Sequence, residues 1–311
     1  MEELKKVAEK IRKLEIQGAT NVAIEGVRAF GKYLDSLKES NVDSFFEKVE
    51  KAQKILETAR ATEPCLRNGL KYSIDKARYT ISNLDNLEML ASLMKKLADE
   101  YLTLLKDAKF KIARIGAQRI PENSLIMTHC HSSAVTQILI EASKTKKFEV
   151  INTETRPRYQ GRITAKELSD NGIPVTHVVD SGMRWVVKHF KNKIDLILIG
   201  ADSITTEGTI FNKIGSRLLA LMAKENHIPL YVVSTILKYN PDSMLGNLEE
   251  IEMRPQDEIW ENPPKGVNIL NPAFETVSRD LIASLITEIG IFPSTLISEK
   301  FEKEFPFLSI L

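Results

Sequence analysis

Cys130 stands between two histidines in IMTHCHSSAV (126–135), where an apolar strand-like run gives way to a helix-like one. Side chains at the carboxyl end of a parallel strand face the crevice in which ligands bind, and a following helix offers free N–H groups and a positive dipole end. A thiol so placed is expected to ionise more easily than the usual ~8.5, supplying a base or nucleophile at neutral pH. The plainer role, a buried cysteine packed as a small hydrophobe, is the commoner one for this residue type. His129 and His131 suggest a thiol hydrolase in which an imidazole activates the cysteine. Alternation along a strand end, however, turns both neighbours away from the direction of the thiol. The two imidazoles share a face and could hold a metal, yet no third ligand at suitable spacing accompanies them, so hydrogen-bonding roles are expected and a metal site is not.

A second group lies in GADSITTEGTIFNKIGS (200–216). Asp202 follows directly on the strand-like DLILIG, again at a carboxyl edge, and its apolar neighbours Ile199 and Ala201 would favour a protonated carboxyl able to act as a general acid. Asn212 and Lys213 are read as opening the next helix, where an amide donor, a point charge and first-turn N–H groups would take an anion; the alternative is a capped helix with a solvated lysine. TETRPRYQGRITAKEL (153–168) presents Glu154, Arg156, Arg158 and Arg162. Arginines there either clamp phosphate or tie elements together through ion pairs, and the second role is preferred. Arg60 is a solvated arginine unless the helical half closes over the crevice and brings it to a second phosphate. Gly200, Gly208 and Gly215 form no dinucleotide-binding fingerprint.

The elements that must position these residues differ between the two parts of the chain. Residues 1 to about 115 read as helices: Leu4, Val7, Ile11 and Leu14 recur at helical spacing, and no glycine or proline interrupts 71–115. Breaks are expected at Gly18, near Ser40–Asp43, and at Pro64–Gly69. Beyond that, β-rich runs at Ser124–Thr128, Phe148–Thr153, Val175–Asp180, Leu196–Gly200 and Leu230–Ser234 alternate with helix-like segments beginning near Ser132, Thr164, Gly182, Asn212 and Pro241. This alternation predicts an α/β protein, with a helical N-terminal domain (1–115) followed by a Rossmann-like domain (116–311) built on a mainly parallel sheet. The last third carries most of the prolines and reads as loop-rich.

Composition excludes several classes. The 311 residues carry 43 lysines and arginines against 42 acids, a net charge of +1 that supplies no field for a polyanion, and no arginine-rich stripe marks a nucleic-acid face. Two isolated cysteines make neither a disulfide framework nor a zinc knuckle, which points to a reducing, cytoplasmic setting. The opening MEELKKVAEKIRK lacks the apolar core of a secretory signal, and no run approaches the ~18–20 apolar residues of a membrane span.

Taken together, THCHSSAV, TETRPRYQGRITAKEL, GADSITTEGTIFNKIGS, LKYNP, IEMR and NPAF resemble, in order and over nearly the whole chain, the archaeal ribose-1,5-bisphosphate isomerases. These belong to the superfamily of the initiation factor 2B alpha, beta and delta subunits and methylthioribose-1-phosphate isomerase. The resemblance implies Cys130 as the base that takes the C2 proton and Asp202 as the acid. It also implies phosphate or sugar contacts from Gln17, Gly18, Ala19 and Thr20, from Arg60, from Ser132, Ser133 and Ala134, and from Asn212, Lys213 and Lys238. No cofactor or metal is implied, and the expected assembly is a homo-oligomer, either dimer or hexamer. The chain departs from the isomerases at Gln17, where arginine is usual, at Ala61, where proline is usual, and at Ser133, often lysine. A non-catalytic, initiation-factor-2B-like subunit that binds a sugar phosphate or nucleotide and docks on partner subunits is the alternative. Methylthioribose-1-phosphate isomerase fits less well, because THCHSS differs from the Asn-Ala-Gly continuation usual there.

Overall fold

The structure, a computed structural model, describes residues 1–60, 62–80, 86–190 and 193–308; the departure at Ala61 lies outside them. Among these residues five helices come first: α1 (Glu2–Arg12), α2 (Ala19–Asp35), α3 (Val42–Glu57), α4 (Pro64–Thr80) and α5 (Leu87–Ala117). The strand and helix series then runs β1 (Ser124–Thr128), α6 (Ser133–Ser143), β2 (Phe148–Thr153), α7 (Gln160–Asp170), β3 (Val175–Val178), α8 (Met183–His189) and β4 (Ile194–Gly200). It continues with β5 (Ser203–Thr205), β6 (Ile210–Lys213), α9 (Ser216–Glu225), β7 (Leu230–Val233), β8 (Tyr239–Asn240), β9 (Phe274–Val277), β10 (Ser284–Thr287), β11 (Gly290–Phe292) and α10 (Ile297–Glu304). Among the described residues no helix is long and apolar enough to cross a membrane.

The chain forms two compact units, and the division falls within α5. The first comprises Met1–Asp107 together with Leu237–Glu249 and the segment from Ser298 on. Leu237–Glu249 is bound to α4 by polar contacts: the Asn68 amide donates to the carbonyls of Leu237 (2.9 Å) and Tyr239 (2.8 Å), and Arg67 pairs with Glu249 at 2.6 Å. A loss of either partner of the Arg67–Glu249 pair would strand a charge in a largely enclosed site. The expected break at Pro64–Gly69 is instead the first turn of α4, with Pro64 at its start, where a missing N–H costs nothing. Gly69 lies inside the helix because a β-carbon there would come within 2.6 Å of the Tyr101 ring and Val27.

The second unit, Ala108–Ile236 with Glu250–Ile297, holds a seven-stranded sheet in the order β11-β10-β7-β4-β1-β2-β3. All neighbours are parallel except the β10–β11 pair. Its apolar runs suit strands covered on both faces: Ile126, Val150, Leu196, Leu198, Val233 and Ile286 pack with Ile112, Ile138, Leu139 and Leu168 from the helices. The chain builds outwards from β1 through β2 to β3, then returns to lay β4, β7 and β10 on the other side. The order therefore reverses between β1 and β4, which are hydrogen-bonded neighbours.

Three expected elements differ. Asn212 and Lys213 do not open a helix; they end β6, which pairs antiparallel with β5 and β9, and α9 begins at Ser216. The helix expected near Thr164 starts at Gln160, and the one expected at Pro241 is a single 3-10 turn, Pro241–Leu245.

Candidate active site

The reversal of strand order places the residues that follow β1 beside those that follow β4, at the carboxyl edge where open α/β sheets bind ligands. Cys130 follows β1 and Asp202 follows β4, and the carboxylate acts electrostatically on the thiol. The Asp202 N–H donates to the Phe211 carbonyl at 2.8 Å, which fixes the start of the β5–β6 hairpin. Gly200 leaves room for this approach: a β-carbon there would lie 2.9 Å from both Cβ and Oγ of Ser132.

Cys130 has φ +66°, a left-handed conformation that costs a non-glycine residue roughly 1–3 kcal/mol and persists only where surroundings enforce it. The enforcing contacts come from two buried threonines. The Cys130 N–H donates to Thr155 Oγ1 (3.0 Å), and the Thr164 hydroxyl donates to the Cys130 carbonyl (2.9 Å). Hydrogen bonds of this kind contribute about 0.5–1.5 kcal/mol each, enough together to offset the strain. Thr155 is itself left-handed at φ +63°, and Asp180 holds it by accepting from the N–H groups of Thr155 (2.8 Å) and Arg156 (2.6 Å).

The expectation of an easily ionised thiol is overturned. Although Cys130 keeps partial exposure, burial pushes its thiol up to about 11, against the lowering influence of the Lys213 ammonium and the His131 N–H; Asp202 and Asp180 push it further up. The helix that was to stabilise a thiolate begins only at Ser133, with Ser132 as its cap, so desolvation outweighs its dipole. Lys213 is half-buried, with its ammonium 4.7 Å from the centre of the Phe274 ring. The buried Asn212 donates to Ser216 Oγ at 2.8 Å.

Neither histidine is set to activate the cysteine. His129 Nε2 lies 2.8 Å from the Ile214 carbonyl, which can only accept, so this nitrogen carries the proton and Nδ1 receives the Thr153 hydroxyl at 2.6 Å. Burial depresses its pKa below the ordinary histidine value, keeping the ring neutral. The ring thereby ties the ends of β1 and β2 to the turn after Lys213. Gly215, at φ +103°, passes so close that a β-carbon would meet the imidazole at 2.8 Å. His131 Nδ1 lies 3.1 Å from Thr164 Oγ1. Among the described residues no group of three or more histidine, cysteine or acidic side chains is arranged to hold a metal ion.

The arginines of 156–162 are engaged with neighbours in the same unit. Arg158 pairs with Glu258 (2.8 Å), Arg162 with Glu154 (3.2 Å), and Arg156 bonds the Tyr159 hydroxyl. Of the other sequence-identified residues, Ser132, Ser133 and Ala134 open α6 in the second unit, with Ser133 exposed. Gln17, Gly18, Ala19, Thr20, Arg60 and Lys238 belong to the first unit. There, Gly18 takes the N-cap position of α2 without a side-chain cap, so the N–H groups from Ala19 and Thr20 onward keep the donor capacity of an open helix start. Gln17 is exposed and its amide donates back to the Leu14 carbonyl at 2.7 Å. Arg60 pairs with the buried Glu63 at 2.9 Å, and Lys238 is half-buried at the end of the 3-10 turn Ile236–Lys238. Sequence reasoning passed over Thr155, Thr164 and Asp180. Asp180 lies two residues past β3, as Asp202 does past β4, but the sequence pattern puts it at the end of the β-rich run 175–180.

A mainly parallel sheet with Cys130 and Asp202 just past adjacent strands at its reversal defines an α/β protein whose candidate site lies at the carboxyl edge. The chain belongs to the initiation factor 2 subunit family, whose sequence profile matches residues 15–294. It is 38% identical to ribose 1,5-bisphosphate isomerase of Thermococcus kodakarensis, over 98% of this chain and 95% of that one. It is 37% identical to the protein of the same name from Pyrococcus furiosus, over 97% and 94%. Among solved structures, the translation initiation factor eIF-2B of Pyrococcus horikoshii superposes with a TM-score of 0.79 at 27% identity, covering 94% of this chain and 98% of that chain.

Proposed function

We propose that the protein is an aldose–ketose isomerase that converts ribose 1,5-bisphosphate to ribulose 1,5-bisphosphate, serving nucleoside monophosphate salvage in the cytoplasm. The observation that carries this reading is the placing of Cys130 and Asp202 after hydrogen-bonded strands at the sheet's reversal, within electrostatic reach of each other. Near-full-length relatives that bear the isomerase name support it.

The chemistry requires two proton transfers in each half-reaction. A sugar phosphorylated at its anomeric oxygen cannot open to a free aldehyde. Asp202 therefore delivers a proton to the ring oxygen while the Cys130 thiolate removes the C2 proton, and the C1–ring oxygen bond breaks to leave an enol phosphate. The Cys130 thiol then returns a proton to C1 as the C2 hydroxyl gives its proton to the Asp202 carboxylate, yielding the ketose and restoring both groups. Lys213 and the His131 N–H are the groups that favour the thiolate. No step calls for a cofactor. Phosphate and sugar contacts are assigned to Gln17–Thr20, Arg60, Ser132–Ala134, Asn212, Lys213 and Lys238. A homo-oligomer, dimer or hexamer, is proposed as the working form; exposed apolar side chains such as Met253, Trp260 and Leu270 are available for contact between copies.

The test is turnover of ribose 1,5-bisphosphate by purified protein, followed as ribulose 1,5-bisphosphate and compared with ribose 5-phosphate and methylthioribose 1-phosphate. Selective turnover of the bisphosphate is expected. One observation favours a second reading: where the isomerases usually carry arginine, Gln17 is uncharged and folded back on its own chain. Saturable sugar-phosphate or nucleotide binding without turnover would select the regulatory, initiation-factor-2B-like subunit.

A further inference from the structure

We propose that Thr155 and Thr164 are positioning residues that clamp the backbone of Cys130 and thereby set the direction of its thiol. The inference rests on the reading of Cys130 as the base. Thr155 is 0% exposed and Thr164 1%, so each hydroxyl is withdrawn from water and needs a partner within the protein. Both find it on the same residue. Thr155 Oγ1 accepts the Cys130 N–H, and the Thr164 hydroxyl is directed to the Cys130 carbonyl. The peptide units on both sides of Cys130 are therefore fixed by Thr155, on the connection between β2 and α7, and by Thr164, within α7, whereas the cysteine itself lies between β1 and α6. A residue at φ +66° relaxes to negative φ when released, and the Cα–Cβ bond swings with it. Without this clamp the sulfur would leave the position from which it senses Lys213 and Asp202.

The arrangement extends one contact further on each side. Asp180 accepts from the N–H groups of Thr155 and Arg156 and so holds the left-handed Thr155 in place. On the other side, Thr164 Oγ1 gives its proton to Cys130 and therefore receives the His131 Nδ1 proton, orienting the ring that follows the cysteine. A structural hydroxyl would serve equally well on any backbone group. Here both act on one residue, strained and at the sheet's reversal.

The test compares wild type with Thr155→Val, Thr155→Ser and Thr164→Val in the full chain. Two quantities are read: kcat and KM for ribose 1,5-bisphosphate, and the rate at which iodoacetamide alkylates Cys130 in the native protein, followed by mass spectrometry. Valine keeps the shape of threonine and lacks the hydroxyl. Thr155→Val is expected to lower kcat about 100-fold with KM within about twofold, as misplacement of a reacting group does, and to raise the alkylation rate as the thiol leaves its enclosed site. Thr155→Ser should return both to near wild type, and Thr164→Val should shift both in the direction of Thr155→Val. Alkylation and kcat unchanged in both valine variants would overturn the proposal, as would failure of serine to rescue. Undiminished turnover by Cys130→Ser would instead remove the reading of Cys130 as base; the alkylation rates, which need no turnover, would still decide the clamp.

Discussion

The turn that carries Cys130 and the turn that carries Gln17 are both short connections leading into a helix start, yet they are built in opposite ways. The first is partly buried and held from outside its own segment, by Thr155, Thr164 and, through His129, by Thr153 and the Ile214 carbonyl. The second is exposed, and among the described residues its side-chain hydrogen bonds run to its own neighbours, with Gln17 on Leu14 and the Asn21 amide on the Gln17 carbonyl. The difference follows from what each would do. A proton transfer fails when the reacting atom moves by about an ångström, whereas a phosphate needs little beyond N–H donors and positive charge, which tolerate a looser frame.

The contrast can be broken or sharpened by substitution on either side. Lys213→Gln removes the ammonium that favours the Cys130 thiolate and should lower kcat/KM by about 100-fold, a loss of roughly 2.7 kcal/mol in transition-state stabilisation; a change under threefold would separate Lys213 from the chemistry. The thiol raised to about 11 gives a second test. Because that value lies above neutrality, the reactive thiolate is lost as pH falls. The rate at which iodoacetamide alkylates Cys130 should therefore rise about tenfold per pH unit between pH 7 and 9. A plateau from pH 7 upward would mean that the thiol is ionised there.

Smaller effects belong to the Gln17 turn. Gln17→Arg should tighten sugar-bisphosphate binding by about tenfold, the size of one added charged contact. An unchanged or weaker affinity in a calorimetric titration would show that this turn does not meet a phosphate. Gln17→Ala, at an exposed site, should change unfolding free energy by no more than about 0.5 kcal/mol in urea, and a larger loss would erase the contrast between the turns.

Much of the fold could be read from the chain because the strands of a covered sheet are continuous apolar runs with clear punctuation. SLIMT and FEVINT coincide with the observed strands from end to end, 124–128 and 148–153. The β5–β6 hairpin around Asp202 was not found, since its strands are three and four residues long and too short to show a period. The sequence pattern therefore gives Asn212 and Lys213 to the following helix, although they end β6. The positions of Cys130 and Asp202 just past strands were visible, but the left-handed backbone at Cys130, Thr155 and Tyr159 was not. Glycine or asparagine normally signals that conformation, and here tertiary contacts impose it on other residues. The thiol's acidity is hidden from the sequence for the same reason: helix proximity is a local property, while burial depends on segments far along the chain.

The most direct measurement is turnover of ribose 1,5-bisphosphate by Cys130→Ser and Asp202→Asn beside wild type, with thermal melting as a control for folding. Both variants are expected to lose at least about 1,000-fold in kcat while melting near wild type, as losses of an acid or base do. A folded variant of either kind that retains more than about a tenth of wild-type turnover would contradict the assignment of these two residues as the proton-transferring pair.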